Sequence, residues 1–369
     1  MICPRCHRGR ASPGARHCPF DGEALQDVSE LSLLDFEPAE PAVYSKRYVV
    51  RGYIGKGAMA RVYLAEDMLT KQPVAVKVLD NSQARQAADR LLKEIRLTER
   101  LLHPAVIRIL DAGQRTDRTP YVVMEYLFGE SLGDRLRREP RLPPRQCLSI
   151  AWHVASALEA AHAQGIVHRD VKPDNIFLVG ERGDPYAVKL LDFGLARAVG
   201  ETGLTAQGVA VGTMNYMAPE QTVSDKTGPR TDIYGLGVVL YRMAVGELPF
   251  EGEHAELLAQ HLLTPPTPPS ERVAELDARF DAVVLTAMRK LPRNRYPTMD
   301  DFEDALAALL GERSGELPLT AELWEPDVYV PYSPYARHIA GILYAKLRRE
   351  VPAWASLTAP DPHAAVRSG

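Results

Sequence analysis

The sequence predicts an α+β fold, because strand patterns and a helix pattern follow one another within a short stretch of the chain. The apolar runs "RVYLAED" and "PVAVKVLD" are typical of strands, and the glycine-rich "GKGAMA" turns between the first pair of strands. The stretch "RLLKEIRLTERLLHP" places Leu91, Ile95 and Leu102 on one face of a helix that ends before Pro104. These elements begin at about residue 48, so the preceding residues form a separate part of the chain.

The composition is that of a globular protein, with 46% hydrophobic and 25% charged residues in a chain long enough for two or three modules. A net charge of −4 argues against nucleic acid as a partner and against a protein that coats anionic membranes. The four cysteines do not form a disulfide framework. We find no secretory signal and no apolar run of about 18 residues, so we expect a cytoplasmic protein without a transmembrane segment.

The opening "CPRCHRGRASPGARHCPFDG" has the spacing of a zinc site made from two knuckles, each with two ligands separated by two residues. The predicted ligands of this structural Zn²⁺ are Cys3, Cys6, Cys18 and Asp21. Asp21 stands where a fourth cysteine is expected, and its oxygen is a weaker zinc ligand than a thiolate. His7 and His17 are rival ligands, although each adjoins a cysteine. The alternative is three thiols on a disordered tail.

Charge divides the first part of the chain into two segments. The first 20 residues contain four arginines and no acid, whereas the next 25 contain seven acids and no lysine or arginine. We expect a small zinc-ribbon-like module at 1–22 and an acidic linker at 23–46.

At the other end, the extension 311–369 has an amphipathic helix pattern at about 334–350. That helix either packs against the rest of the protein or binds a partner or a membrane surface.

Lys77 points to an anion-binding site, because it lies inside the apolar strand "VAVKV" and an ammonium group there needs a negative partner. A phosphate or the carboxylate of Glu94 would serve, although Glu94 by itself is equally well explained as a solvated helix residue. Gly55 and Gly57 leave main-chain N–H groups that can lie over a phosphate. The third glycine of that pattern is Ala60, so the glycine signal alone is weak.

Two further stretches, "IVHRDVKPDNIFLV" and "AVKLLDFGLA", carry polar groups between apolar strands. Their candidate site residues are Asp170, Lys172, Asn175 and Asp192. Together they provide acids and an amide for divalent magnesium, a lysine to balance phosphate charge and an acid to accept a hydroxyl proton. Buried charges in such numbers favour a phosphoryl-transfer site over a structural role.

With these motifs in this order, the chain resembles the Hanks-type protein kinases, and among them the bacterial serine/threonine kinases, from about Tyr48 to Leu310. The resemblance implies a bilobal fold at 47–310, with a β-rich N-lobe at about 47–125 and a helical C-lobe at about 126–310. The cysteine segment resembles the short zinc ribbons that precede some bacterial kinases.

The resemblance assigns a role to each residue of the site. Lys77 would hold the α and β phosphates with Glu94 as its helix partner, and Asp170 would be the catalytic base. Lys172 would stabilise the γ-phosphate, and the metal ligands for Mg²⁺ or Mn²⁺ would be Asn175 and Asp192. The expected contacts of ATP are Ile54, Gly55, Lys56, Gly57, Ala58, Val62, Ala75, Lys77, Met124, Glu125, Leu127 and Phe177.

A serine/threonine rather than a tyrosine acceptor is implied by Lys172 and by Thr213 in the segment that resembles the substrate-receiving loop.

Arg169 has no obvious local partner and is expected to bind an anion. In related kinases that anion is a phosphothreonine. We expect autophosphorylation at Thr205, or else at Thr202.

Two structural expectations follow from the same resemblance. Glu220 would form a buried ion pair with Arg295 that holds the activation segment, and Asp232 would anchor the main chain around the "HRD" turn.

The sequence thus predicts a serine/threonine protein kinase that transfers the γ-phosphate of ATP to protein hydroxyls. The alternative is a pseudokinase or a zinc-ribbon adaptor that serves as a docking scaffold. Expected partners are ATP, protein substrates and a docking partner for the zinc ribbon or for the C-terminal helix.

Overall fold

The computed structural model describes residues 43–56, 60–79, 84, 87–180, 187–193, 214–223 and 227–311, together with His17 and Ala24. The predicted zinc module, most of the acidic linker and the predicted helix at 334–350 therefore lie outside the described residues. His17 and Ala24 form an isolated antiparallel bridge.

The first half of the described chain is a six-stranded antiparallel sheet with the strand order β1-β2-β3-β4-β6-β5. Its strands are β1 Val43–Tyr44, β2 Tyr48–Lys56, β3 Arg61–Asp67, β4 Pro73–Val78, β5 Ile109–Gln114 and β6 Pro120–Glu125. Helix α1, Ala88–Thr98, packs against β5 and β6 through Leu91 and Ile95, which are both buried. The sheet and this helix form the N-lobe.

The second half, the C-lobe, is mainly helical. Its helices are α2 Leu132–Arg138, α3 Pro144–His162, α4 Pro219–Val223, α5 Pro229–Val245, α6 His254–Leu263, α7 Pro269–Arg272, α8 Ala278–Ala287 and α9 Met299–Leu310. A small sheet, β7 Gly129–Ser131, β8 Ile176–Val179 and β9 Ala187–Leu190, lies at its top.

Helix α5 runs through the centre of the C-lobe and packs against α3, α8 and α9. Apolar side chains cover nearly its whole circumference, so it is buried on all sides. Ala287 packs directly against Gly237 of α5. A Cβ added at Gly237 would lie 2.8 Å from the Cβ of Ala287, so a larger residue would not fit without a shift. The C-lobe core therefore forms a rigid base beneath the small sheet.

The predicted helix around Glu94 ends earlier than expected. Thr98 is its last residue, and the Thr98 hydroxyl donates to the main-chain oxygen of Glu94 at 3.3 Å. Leu102 lies beyond the end and is 79% exposed, whereas Leu101 is buried in its place. The expectation for Leu102 was wrong because the chain leaves helical geometry one turn before it.

Among the residues that the structure describes, we find no helix long and apolar enough to cross a bilayer.

Candidate active site

One buried carboxylate, that of Asp232 in α5, holds the turn that follows α3. Its Oδ1 accepts the main-chain N–H of Arg169 at 2.7 Å, and its Oδ2 accepts that of His168 at 2.8 Å. Oδ2 also lies 2.8 Å from Nε2 of His162, at the end of α3. Arg169 has a φ of 66°, a left-handed conformation that costs a residue other than glycine about 1 kcal/mol or more. These hydrogen bonds fix the main chain immediately before Asp170.

The side chain of Asp170 is oriented by two of the predicted site residues. Lys172 Nζ lies 2.8 Å from Oδ2 of Asp170. Asn175, at the end of the 3₁₀ turn Pro173–Asn175, donates from Nδ2 to the main-chain oxygen of Asp170 at 2.8 Å and to its Oδ2 at 3.0 Å. Since both neighbours approach Oδ2, Oδ1 is the oxygen placed to accept a proton from a hydroxyl group.

Lys77 in β4 and Asp192, two residues after β9, form an ion pair at 2.5 Å between the N-lobe and the C-lobe. Burial disfavours the charged form of Asp192, but Lys77, His168 and Lys172 together hold its pKa below the ordinary value. Asp192 is therefore ionised at neutral pH, as a ligand of a divalent cation has to be.

The main chain on both sides of Asp192 is tied to the segment His168–Asp170, the predicted catalytic turn. Leu191 donates its N–H to the oxygen of Asn175 at 2.8 Å, and the oxygen of Leu191 lies 2.7 Å from Nε2 of His168. The ring of Phe193 packs on that of His168, with 4.8 Å between centroids. Asp192 itself has a φ of 61°, so the chain around it is strained and must be held by these contacts.

Glu94, predicted as the partner of Lys77, lies half-buried on α1 and forms no ion pair with Lys77 in the described part of the chain. Lys77 has the carboxylate partner that its position in an apolar strand requires, but that partner is Asp192. The pairing of Lys77 with Glu94 stays a prediction.

Several of the predicted ATP contacts in the N-lobe share one face of the sheet with Lys77. Opposite residues of antiparallel strands, and residues two apart along a strand, have side chains on the same face. Val62 lies opposite Lys77, and Ala75, two residues before Lys77, lies opposite Met124. Gly55 in turn lies opposite Val62.

The remaining predicted nucleotide contacts lie at the edges of this region. Ile54 precedes Gly55 in β2, Glu125 ends β6, and Leu127 follows in the connection to the C-lobe. Phe177 is half-buried in β8, opposite Lys189 of β9. Lys56 ends β2.

A second lysine pair, half-buried and not predicted from the sequence, joins Lys189 and Glu125. Lys189 Nζ lies 2.7 Å from Oε1 of Glu125 and donates to the oxygen of Val106 at 3.2 Å. The same carboxylate oxygen accepts the N–H of Arg108 at 2.9 Å. This network joins the end of β6 to the strand that leads to Asp192. Like Lys77, Lys189 lies in an apolar strand, "AVKLL", and this pattern indicates that its ammonium group needs an anionic partner.

Arg169 has a hydrogen-bond partner that is distant in the sequence. Its Nε donates to the hydroxyl of Thr227 at 2.8 Å. Gln221 in α4 donates to the main-chain oxygen of Arg169 at 2.9 Å and accepts the N–H of Ala218 at 2.9 Å. The catalytic turn is thus tied to α4 by residues more than 50 positions away, which a reading of local sequence does not reveal.

Glu220 of α4 and Arg295 form a bidentate ion pair with two 2.8 Å hydrogen bonds. Both residues are buried. Thr231 donates its hydroxyl to Oε1 of Glu220 at 2.8 Å, and the guanidinium of Arg295 lies over the ring of Tyr234, 4.8 Å from its centroid. This pair fastens α4 to the base of the C-lobe.

Several predicted site residues lie outside the described part of the chain. They are Gly57, Ala58, Thr202, Thr205, Thr213, Cys3, Cys6, Cys18 and Asp21.

The residues at the cleft fit a magnesium–nucleotide complex. The amide nitrogen of Asn175 donates its hydrogen bonds to Asp170. Its Oδ1 can therefore accept a hydrogen bond from another group or bind a cation. Asp192 contributes a carboxylate, and Lys77 and Lys172 contribute positive charge for phosphate oxygens. Oxygen ligands from one carboxylate and one amide, with phosphate oxygens completing the shell, are the usual protein setting of Mg²⁺.

Comparison with known proteins agrees with this geometry. The family described as "Protein kinase domain" matches residues 48–304. The serine/threonine-protein kinase PknB of Mycobacterium leprae is 38% identical over 285 residues, which cover 75% of this chain and 45% of that protein. PknB of Mycobacterium tuberculosis is 38% identical over 286 residues, with the same coverage. The chain thus aligns with less than half the length of these relatives.

Among solved structures, the Mycobacterium tuberculosis PknI kinase domain is similar, with 27% sequence identity and a TM-score of 0.57. The match covers 72% of this chain and 97% of the PknI domain. The sheet-rich and helical lobes, the paired lysines and carboxylates between them, and the matched 48–304 region all lead to the same assignment: the chain belongs to the protein kinase domain family.

Proposed function

We propose that the protein is a serine/threonine protein kinase that transfers the γ-phosphate of ATP to serine and threonine hydroxyls of protein substrates. The observation that carries the proposal is the cluster of Asp170, Lys172 and Asn175, which faces the Lys77–Asp192 ion pair. The relatives at 38% identity are named serine/threonine-protein kinases, which supports the same acceptor class for this chain.

The site orients one carboxylate for the proton and several charges for the phosphoryl group. Oδ1 of Asp170 accepts the proton of the acceptor hydroxyl while the hydroxyl oxygen bonds to the γ-phosphorus. The bond between the γ-phosphorus and the bridging oxygen breaks, and ADP leaves with that oxygen. Lys172, held 2.8 Å from Asp170, balances the negative charge of the transferred group.

Asn175 and Asp192 would hold Mg²⁺, which neutralises phosphate charge when it is bound. Lys77 would contact the α and β phosphates, so nucleotide binding exchanges the Asp192 carboxylate for phosphate oxygens as the partner of Lys77. Because both partners are already oriented at the cleft, this exchange requires only side-chain movement.

The test is to incubate the wild-type protein and Asp170→Asn with labelled ATP, Mg²⁺ and a generic basic protein substrate. Asn keeps the shape of Asp170 but cannot accept the proton, so we expect labelling to fall by about 10² or more. Lys71→Met, an exposed lysine of the β3–β4 turn, is the matched control and should label as the wild type does. Equal labelling of wild type and Asp170→Asn would favour the pseudokinase or adaptor alternative.

We also propose that the enzyme is activated by autophosphorylation in the segment 197–213, with Thr205 favoured over Thr202. Arg169 lies beside the catalytic aspartate, where a phosphate would replace the neutral Thr227 hydroxyl as a stronger partner. Phosphopeptide mapping of active enzyme should find one of these threonines modified. Active enzyme with both threonines unmodified would refute this regulation.

For the N-terminal segment we propose a structural zinc ribbon with Cys3, Cys6, Cys18 and Asp21 as ligands. The bridge between His17 and Ala24 supports it, because it brings together the two ends of the six residues that contain Cys18 and Asp21. Zinc analysis should give one equivalent for the wild type and much less for Cys3→Ser. Near-zero zinc in both proteins would rule the site out.

We further propose that the protein acts in the cytoplasm and that the zinc ribbon or the helix predicted at 334–350 recruits a docking partner. Fractionation of cells that express the full chain, with and without residues 311–369, tests both points. We expect both proteins in the soluble fraction, and loss of a co-purifying partner when the segment that binds it is removed.

A further inference from the structure

A buried polar cluster lies in the C-lobe beneath the loop 214–218. His261 of α6 has no solvent exposure, and its Nδ1 lies 2.8 Å from the hydroxyl of Tyr234 in α5. The ring of Phe250 packs edge-on against the imidazole, with 5.0 Å between centroids. Lys290 Nζ lies 4.2 Å from the centroid of Phe250 and donates to the main-chain oxygen of Gln260 at 3.1 Å. Helix α6, which carries His261, packs against α4.

One atom of this cluster is not satisfied. Nε2 of His261 is buried and has no hydrogen-bond partner at normal distance and angle within the described chain. A buried polar atom without a partner is uncommon in a folded protein and calls for an explanation. An apolar residue of similar size would fill this space without an unsatisfied atom.

The main chain of Asn215 is a polar group close enough to His261 to affect its pKa. Burial lowers the pKa of His261 to about 3, and the charge of Lys290 lowers it too, while the main chain of Asn215 acts in the opposite direction. The imidazole is therefore neutral at physiological pH. When the Tyr234 hydroxyl donates to Nδ1, the ring proton is on Nε2, which suits a carbonyl acceptor.

Asn215 belongs to the loop that leads into α4 and resembles the substrate-receiving segment of protein kinases. The same loop approaches α5 closely, since a Cβ on Gly235 would lie 3.6 Å from the oxygen of Tyr216. Ala218, at its end, is held by Gln221, which also binds the main-chain oxygen of Arg169. The position of Asn215 is therefore mechanically linked to the catalytic turn.

We propose that His261 is a positioning residue for protein substrates: its Nε2–H holds the main-chain carbonyl of Asn215 when the acceptor protein binds. The inference rests on the proposed kinase function. Substrate bound to the loop 214–218 would press it towards α6 and so give the buried Nε2–H group of His261 the acceptor that it lacks. His261 does not touch ATP or the reacting atoms, so it acts on the affinity for the acceptor protein.

Three substitutions separate positioning from general stability. His261→Asn keeps a group at the position of Nδ1 for Tyr234 but has none at Nε2. His261→Gln extends an amide N–H to the position of Nε2. Tyr234→Phe removes the hydroxyl and leaves His261 in place. His261→Gln and Tyr234→Phe delete the hydrogen bond between His261 and Tyr234, and His261→Asn leaves a space where the ring was, so losses of thermal stability are expected from all three.

The measured quantities are the KM for a protein substrate, the KM for ATP, kcat and the melting temperature. We expect His261→Asn to raise the KM for the protein substrate about tenfold, with the KM for ATP unchanged. His261→Gln and Tyr234→Phe should stay within about twofold of wild type. His261→Leu, which has similar volume and no donor, replaces His261→Asn if that variant does not fold.

Two results would overturn the inference. In the first, the KM for the protein substrate follows the melting temperature across all variants, as a purely structural residue requires. In the second, His261→Asn or His261→Leu retains the wild-type KM. Either result leaves the kinase proposal intact when the wild type is active, whereas an inactive wild type refutes the kinase proposal itself.

Discussion

Asp192 combines a strained main chain with a charge that is partly removed from solvent. Its φ of 61° and its position at the cleft are maintained by contacts of the neighbouring residues, and its charge is maintained by Lys77 at 2.5 Å. Burial by itself would raise the pKa of Asp192, and Lys77 makes the largest contribution among the charges that oppose it. The ion pair therefore keeps the carboxylate in the charged state that metal binding requires.

The first prediction concerns Lys77→Met and the pH dependence of stability. A carboxylate with a depressed pKa in the folded state stabilises above the unfolded pKa of about 4, and this contribution disappears as the pH falls through the lower folded value. We expect Lys77→Met to lower the melting temperature by about 5 °C at pH 7, equivalent to roughly 1–3 kcal/mol.

The difference between wild type and Lys77→Met should narrow below pH 4, measured by thermal melts from pH 3 to 7. Lys71→Met, which removes an exposed lysine 3.5 Å from Glu66, is the control and should change stability by no more than about 1 kcal/mol at any pH. A difference between wild type and Lys77→Met that is equal at every pH would contradict the assigned partner.

Residue-scale reasoning from sequence identified that Lys77 needs an anion but not which one. The partner in the structure, Asp192, is 115 positions away along the chain, whereas Glu94 is nearby in sequence. Lys189 shows the same limit, since its partner Glu125 is 64 positions away. Desolvation of a charge is a local property that residue types reveal, but the choice among carboxylates depends on the fold.

At the scale of elements, α5 organises the site from beneath. From its first two turns, Thr231 binds Glu220 of α4, Asp232 holds the catalytic turn, and Tyr234 contacts both Arg295 and His261. The remaining turns are buried among α3, α8 and α9. A helix packed on all sides cannot shift without disturbing the core, so groups on it are suitable fixed points for catalysis.

The second prediction is that Asp232→Asn lowers kcat by about tenfold or more and leaves the KM for ATP nearly unchanged. The carboxylate accepts from two main-chain N–H groups, and an amide places an NH₂ group against one of them. The strained turn at Arg169 then relaxes and displaces Asp170 from the acceptor hydroxyl. Steady-state kinetics measure this, and a change confined to the KM for ATP would show that the turn is held in another way.

The third prediction concerns the buried pair between Glu220 and Arg295. Arg295→Met leaves Glu220 buried without its partner and should destabilise the protein by about 3–5 kcal/mol. Adding Glu220→Leu should restore part of that loss, because two apolar residues need no hydration. Chemical denaturation gives both values.

The matched control for that pair is Arg279→Met, which breaks the exposed pair with Asp277 and should change stability by at most about 1 kcal/mol. If the double variant is less stable than Arg295→Met by the full effect of Glu220→Leu alone, the two side chains are not coupled.

Strands β3 and β4 were predicted well, because the local pattern of apolar residues determines where they form. The run "RVYLAED" coincides with β3, and β4 covers the first six residues of "PVAVKVLD". The end of α1 was not predicted, because Leu102 fits the helical spacing while Leu101, its neighbour, is the residue that the core takes up. Periodicity identifies the face of a helix, but the last turn depends on which side chain the adjoining layer can bury.

On the scale of the whole molecule, the two lobes have separate apolar cores. Polar contacts join them at the cleft, through Lys77 with Asp192 and Lys189 with Glu125. Apolar cores set the stability of each lobe, whereas charged contacts at the cleft respond to a bound ligand. The site therefore lies where a ligand with phosphate and a divalent cation can replace existing ion pairs.

The fourth prediction is that MgATP stabilises the protein in a way that depends on the metal and on Asp192. Binding to the folded state alone adds about 2.7 kcal/mol at 100 times the Kd, equivalent to roughly 5–10 °C in the melting temperature. ATP without Mg²⁺ should give a smaller shift, because the phosphates then meet the unshielded carboxylate of Asp192. In Asp192→Asn that repulsion and the metal ligand are both removed, so the shifts with and without Mg²⁺ should converge. Equal shifts in the wild type with and without Mg²⁺ would mean that nucleotide binds elsewhere, since any nucleotide between Lys77 and Asp192 must respond to the cation that shares the carboxylate.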